Sequence, residues 1–294
     1  MKEPVSYRIV TIHVFLAILA ILCLLPMVIV VSVSFSAESD IIRNGFAVFP
    51  REFSLDAYRH MFATPDQILR SYSVSLLVTA LGTSAALAVS AMVAYVTTRR
   101  DFRASGPITF AVFLPLLFQA GLVPFYIYVV RTLGLKNTIA ILILPYLVTP
   151  WLVLLLRGYM KQVPRSVLES GWLDGAGEVR VFFSIVVPMS KSGLATVGLF
   201  YLFLYWNDWW LSLLFITEAS KTPLQLLLQR ILANTEFMRS ALFRASGVQV
   251  DLTNLPGETA RMATALIVAG PILIAFPFLQ RYLVRGIAVG SLKG

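Results

Sequence analysis

Charge is scarce in this chain, and it is missing in long runs. Only 13% of the 294 residues are Asp, Glu, Lys or Arg, while 58% are hydrophobic, a balance that excludes an ordinary water-soluble domain of this length. No charged residue occurs in Ile9–Ala37, Ser71–Thr98, Ala104–Val130, Asn137–Leu156 or Met262–Gln280. Each run reaches or exceeds the roughly 18–20 residues with which an α-helix crosses a bilayer core. A further stretch, Gly193–Ile216, is interrupted only by Asp208, so six membrane helices are expected. Without water to satisfy open backbone groups, such segments imply a helical bundle rather than a sheet.

Other absences narrow the function. The lone cysteine, Cys23, excludes an intrachain disulfide and says nothing about redox compartment. The two histidines, His13 and His60, lie far apart and on opposite sides in the expected topology, so they read as bystanders rather than metal ligands or catalysts. The sequence contains no Gly-x-x-x-x-Gly-Lys-Ser/Thr phosphate loop, no His-Glu-x-x-His and no Gly-x-Ser-x-Gly. No enzyme activity and no cofactor in this chain are therefore expected, and any ATP energy must arrive from another subunit. An intramembrane enzyme would need a catalytic constellation that is missing.

The charges that are present are distributed by side. With the N-terminus inside, the inner segments hold 13 Lys and Arg against 5 Asp and Glu, and the longer outer segments hold 11 against 10. Arg99, Arg100 and Arg103 follow the second helix directly. The positive-inside rule then places both termini in the cytoplasm, with Arg131 and Lys136 in a short outer loop running against the bias. The pI near 9.8 thus reads as topology and contact with anionic lipid. A nucleic-acid surface would need a basic stripe interleaved with exposed aromatics. The first apolar run is too long for the roughly 7–15-residue core of a signal peptide, so it is expected to remain as a helix.

The inner segment 163–188, between the fourth and fifth helices, carries the most information. Pro164 suits a helix start, Asp174-Gly175 a helix end and turn, and the following residues resume a helix as far as Pro188. Two short helices joined at a glycine are expected. Val167, Leu168, Gly171 and Trp172 share one face of the first. Such a helix either rests on lipid or offers an aromatic knob to a groove on a partner, and periodicity leaves the two open. The spacing adds to this. A Glu, a Gly six residues on, an Ile ten further and a Pro three beyond that stand here as Glu169, Gly175, Ile185 and Pro188, around Asp174-Gly175-Ala176. The segment closely resembles the EAA loop of bacterial ABC-importer permeases, departing at Ser170 and Gly171, where that family usually has alanines, and at Val187, often leucine.

Gly121-Leu122-Val123-Pro124, Leu133 to Thr138, Leu142-Ile143-Leu144-Pro145, Trp206-Asn207-Asp208 and the tail Gly286 to Gly294 are similar to carbohydrate-importer permeases of the maltose-permease type, second-subunit class. The likeness runs from about residue 70 to the end, and is nearest to the branch for complex or acidic oligosaccharides such as alginate- or pectin-derived ones. It implies an all-α polytopic membrane protein with six transmembrane helices and the ABC type I importer permease (MetI-like) fold. Residues 1–70 would form the first helix and outer segment, and 71–294 a permease core of five helices with the coupling loop. The resemblance makes Glu169, Ser170, Gly171, Asp174, Gly175 and Ala176 the contact with a partner ATPase. The implied partners are a second homologous permease, two ATPase subunits that bind ATP and Mg, and an extracytoplasmic solute-binding protein touching the segment Thr217–Ala260. The competing class, a self-contained channel or secondary carrier, would show internal repeats and buried ion-coupling charges.

Within the helices, Gly82, Ala86, Ser90 and Ala94 recur every four residues, a smooth ridge suited equally to internal packing or a subunit interface. Pro115 and Pro124 in the third helix, and Pro145 and Pro150 in the fourth, should kink or break them. Trp206, Asn207, Asp208 and Trp209 are candidate pathway residues: aromatic faces stack on sugar rings and polar groups bind hydroxyls. The alternative is an interfacial tryptophan belt, including Trp210, with Asp208 near water.

Overall fold

The structure is a computed structural model, and it describes residues 7–62, 65–99, 101–118, 120–239 and 257–271. Among the described residues, two helices are long and apolar enough to cross a membrane unbroken. The first is α1, Tyr7–Ser34, whose residues Val10–Ser34 have a mean hydropathy of 3.2 and lie exposed for nearly their whole length. The second is α4, Pro65–Thr98. Among the same residues, three pairs of shorter helices, each meeting at a break, have the combined length and apolarity of a further span. Of the sixth apolar run, a helix over 258–271 is described, and 272–280 lies outside the described residues, as do Arg100, the tail from 281 and the motif at 286–294.

Contacts divide the described residues into two units, one holding 7–66 with 228–271 and the other 67–227. In the first, α1 leads into α2 (Glu38–Asn44) and α3 (Asp56–Met61). Phe35 stacks on Phe53 and Tyr58 at centroid distances of 5.8 and 5.1 Å, and Tyr58 donates to Ser34 Oγ at 3.0 Å. The helix over 258–271 begins on a buried carboxylate. Glu38 Oε1 accepts the amide of Glu258 at 3.1 Å, and Oε2 accepts the amide and hydroxyl of Thr259 at 2.9 and 2.7 Å. A negative charge on unpaired N-terminal amides satisfies donors the helix cannot satisfy itself and matches the helix dipole.

The second unit is organised by helix breaks. The third span is α5 (Ser105–Leu117) then α6 (Leu122–Ile127), which runs on as a π-helical turn over Tyr128–Thr132. The fourth is α7 (Ala140–Ile143), a 3-10 turn over Leu144–Tyr146, then α8 (Pro150–Met160), bent by 52°. Pro115 lies near the end of α5, and Pro145 and Pro150 flank the fourth-span break, as expected from their missing donors. Next come α9 (Arg165–Leu173), α10 (Glu178–Val181), a π turn over Phe182–Val186 and α11 (Val187–Met189). The fifth span joins α12 (Lys191–Trp206) to α13 (Trp210–Phe215), and α14 covers Leu224–Arg239.

The small-residue ridge on α4 faces inward: Ala86, Ser90 and Ala94 are fully buried, and a Cβ on Gly82 would stand 2.7 Å from the Tyr205 ring. The ridge therefore serves packing inside this chain, against α12. An equally close approach joins α8 to α12, where a Cβ on Gly193 would lie 2.4 Å from Tyr159 Cγ and 2.6 Å from its Cβ, too near the backbone to swing aside. Gly193→Ala is expected to destabilise the detergent-solubilised protein by about 1–3 kcal/mol, the usual cost of overpacking. Gly158→Ala, which meets nothing within 4 Å, should leave the melting temperature unchanged or higher, and thermal unfolding of the two variants checks the contrast.

Candidate functional site

The chemistry-bearing residues gather at the two ends of the second unit and at the breaks between them. At one end lies α9. Its start is one residue later than the sequence suggests, with Pro164 capping it in extended conformation (φ −60°, ψ 133°). It closes as expected on Asp174-Gly175. The Gly175 amide donates to Trp172 O and the Ala176 amide to Gly171 O, each at 3.0 Å, with Gly175 at φ +80°. This pair of bonds around a left-handed residue satisfies the last carbonyls, and glycine takes that conformation without a Cβ penalty.

No residue of α9 is buried. Leu168 and Trp172 lean on the core while Leu173 is 87% exposed, and Gly171 faces the flexible tip of Ile185. The outward face carries Arg165, Glu169, Ser170 and Asp174, with Arg165 Nε donating to Glu169 Oε1 at 3.0 Å. The aromatic knob expected on the partner-facing side is thus corrected. Trp172 turns inward because its indole is the largest apolar surface on the helix, and Leu173 projects instead.

The indole meets a guanidinium. Arg99, one residue past the end of α4, lies 4.3 Å above the Trp172 ring, within cation–π range. It donates to Glu178 Oε2 at 2.5 Å and to Tyr95 Oη at 2.8 Å. Tyr95 donates to the same carboxylate oxygen at 2.7 Å. Asp101 takes the other edge of the guanidinium through Nε at 2.8 Å and through Nη2, and this bonding holds the Asp101 carboxyl down at about 2. Beside the cluster opens a cleft of about 360 Å³ lined in part by Met160, Lys161, Val163 and Leu168. In the sequence Arg99 counted only towards orientation. The signal that marks it otherwise is Tyr95 four residues earlier, on the same helix face.

The candidate pathway residues occupy the break between α12 and α13 rather than a continuous helix. Trp206 is buried against Tyr72, and Asn207 is exposed and within 3.4 Å of Gln225. Trp209 and Trp210 are exposed, 39% and 45%, in an edge-to-face pair. Asp208 points inward: its Oδ1 accepts the Tyr146 hydroxyl at 2.8 Å and lies 3.5 Å from the Leu211 amide. Tyrosines also close the break in the fourth span. Tyr205 donates to Ile143 O at 2.9 Å, the Thr149 amide donates to Tyr201 Oη at 3.2 Å, and Ser90 Oγ, 2.6 Å from that hydroxyl, donates to Leu147 O at 3.2 Å. At the end opposite α9, Asn137, with φ +57°, accepts the Thr217 and Glu218 amides through Oδ1, and its carbonyl accepts Lys221 Nζ.

Broken spans sealed by hydrogen-bonding side chains, with a short exposed helix at one end, define a polytopic helical membrane protein. Residues 86–289 match the family of binding-protein-dependent transport system inner membrane components. Over 96% of this chain and 97% of the relative, it is 34% identical to the polygalacturonan/rhamnogalacturonan transport system permease protein YtcP of Bacillus subtilis. It is 26% identical, over the full length of both, to the trehalose/maltose transport system permease protein MalG of Thermococcus litoralis. A chain of a solved bacterial ABC transporter involved in the import of the acidic polysaccharide alginate superposes with a TM-score of 0.79, covering 96% of this chain and 99% of that one at 24% identity; that likeness concerns the fold. The chain therefore belongs to the family of binding-protein-dependent transport system inner membrane components, which removes the self-contained carrier.

Substitutions at two positions separate the roles of these residues. Asp208→Ala leaves the Tyr146 hydroxyl without its acceptor and should cost about 1–3 kcal/mol of stability in detergent, whereas Asp208→Asn keeps an acceptor oxygen and should cost less. Gly175→Ala should cost about 1–2 kcal/mol for a left-handed residue, and Gly175→Pro cannot adopt φ +80° and should unravel the end of α9. Circular dichroism melts of the purified variants check both orders.

Proposed function

We propose that this chain is one of two permease subunits of an ATP-driven importer of acidic oligosaccharides derived from polymers such as polygalacturonan or alginate. The observation that carries the importer reading is α9: a helix with no buried residue and a charged outer face, closed by a left-handed glycine at the position the EAA spacing assigns. Glu169, Ser170, Gly171, Asp174, Gly175 and Ala176 are proposed as the contact with a partner ATPase. Two such ATPases bind ATP and Mg, and their closure swings α9 so that this subunit and a second permease alternate between inward and outward openings. The α9 end and both termini are placed in the cytoplasm, in accord with the excess of basic residues on that side. The segment Thr217–Ala260, of which 240–256 lie outside the described residues, is the part we assign to contact with the extracytoplasmic binding protein.

The substrate class rests on the full-length relative named for polygalacturonan and rhamnogalacturonan transport, and the alginate importer's fold is in keeping with it. On the path, the exposed Asn207, whose amide donates to Phe203 O and accepts from Gln225, is the polar group on the surface of the break that could exchange these bonds for sugar hydroxyls. Trp209 and Trp210 fit an interfacial aromatic belt, and Trp206 and Asp208 shape the break from behind.

Purification of the tagged protein from native membranes in mild detergent should recover a second permease and an ATPase. The membranes should take up labelled oligogalacturonate or oligoalginate only with ATP and the binding protein. Glu169→Ala, at an exposed site where the ion pair contributes little to stability, should leave the chain inserted but reduce ATPase recovery and uptake at least tenfold, as loss of about 1.4 kcal/mol or more of docking energy requires. Recovery of a solitary protein, or uptake untouched in Glu169→Ala, would overturn the reading.

A further inference from the structure

Arg99 makes more contacts than orientation in the membrane requires. The helix α9 has no buried residue and one side open to the cleft of about 360 Å³, so its attachment to the body cannot rest on apolar area alone. Leu168, Trp172 and the Gly171–Ile185 contact supply an apolar seat, and such a seat permits sliding because it has no direction. The directional attachments are those of Arg99. Its guanidinium, on a side chain only 12% exposed, covers the inner face of Trp172 from α9 and binds Glu178 at the head of α10. It is also fixed to Tyr95 on α4. Three elements on either side of Gly175 meet at one planar cation.

We infer that Arg99 is a positioning residue that ties the coupling helix rigidly to α4, so that displacement of α9 moves a membrane span rather than being absorbed at the Gly175 joint. The inference rests on the importer reading and deepens it. Guanidinium suits the task where ammonium does not, since its flat face lies on the indole while its edges bind two carboxylates in fixed directions. Because α4 runs unbroken for 34 residues, a push at Arg99 reaches Ser90 and Gly82, which lie against the tyrosines of α12. The coupling helix is thereby connected to the breaks in the fourth and fifth spans through one rigid rod.

The test uses the whole complex in proteoliposomes with binding protein and oligosaccharide, measuring uptake per ATP hydrolysed at matched amounts of assembled complex. Arg99→Gln is expected to keep basal ATP hydrolysis but lower uptake per ATP about tenfold, as expected for a lost charge-assisted contact. Glu178→Ala should lower it about threefold, because that carboxylate is half exposed and screened. The double variant should fall no lower than Arg99→Gln alone, the mark of two groups acting in one contact. Arg99→Lys should recover only part of the loss. Unchanged uptake per ATP in the single variants, or losses that multiply in the double, would overturn the inference. Should Arg99→Gln fail to assemble, Glu178→Ala with a wild-type ratio overturns it and a threefold loss sustains it. A wild-type complex with no ATP-dependent uptake is a separate result that sinks the importer reading itself.

Discussion

The rest of this structure depends on one constraint: a backbone carbonyl or amide released where a helix breaks inside a bilayer finds no water and must find a side chain. The fourth span breaks between prolines, and Ser90, Tyr201 and Tyr205 take the polar groups of Ile143, Leu147 and Thr149. The fifth span breaks at Asn207–Trp209, where Asp208 binds Tyr146 from the fourth. Each break is closed by residues of a neighbouring span. Neither can straighten or shift without the other, and both rest on the small-residue ridge of α4, where Tyr205 sits in the space left by Gly82.

The same economy operates at the α9 end. A helix proposed as the contact with another chain stays unburied, and a helix that is not buried has little apolar area to hold it. The structure resolves this conflict with polar contacts of fixed direction. The bonds around Gly175 terminate the helix, and the Arg99 cluster ties it to the body. In the other unit, Glu38 does comparable work by starting the helix over 258–271 on a carboxylate.

Much of this was legible beforehand. The charge-free runs announced the spans, because twenty residues without an ion have few other uses. The prolines at 115, 145 and 150 announced breaks, and Asp174-Gly175 announced the end of α9 through the geometry only glycine takes cheaply. Other features escaped. Trp172 was expected to face outward, to lipid or to a partner, because periodicity assigns residues to a face without saying which way the face points. Asp208 was placed inside a helix because a break without proline or glycine, such as Asn207–Trp209, leaves no local mark.

By itself, the sequence determined the class of environment, the spans, most of their breaks and the family, since each follows from local composition or from short fixed spacings. Only the tertiary structure decided that the ridge on α4 packs within the chain, that tyrosines of one span close the break in another, and that Arg99, Trp172 and Glu178 meet. Those facts join residues 52 to 123 positions apart in sequence. Their partners are set by how whole helices cross and tilt, and no short stretch of chain contains that information.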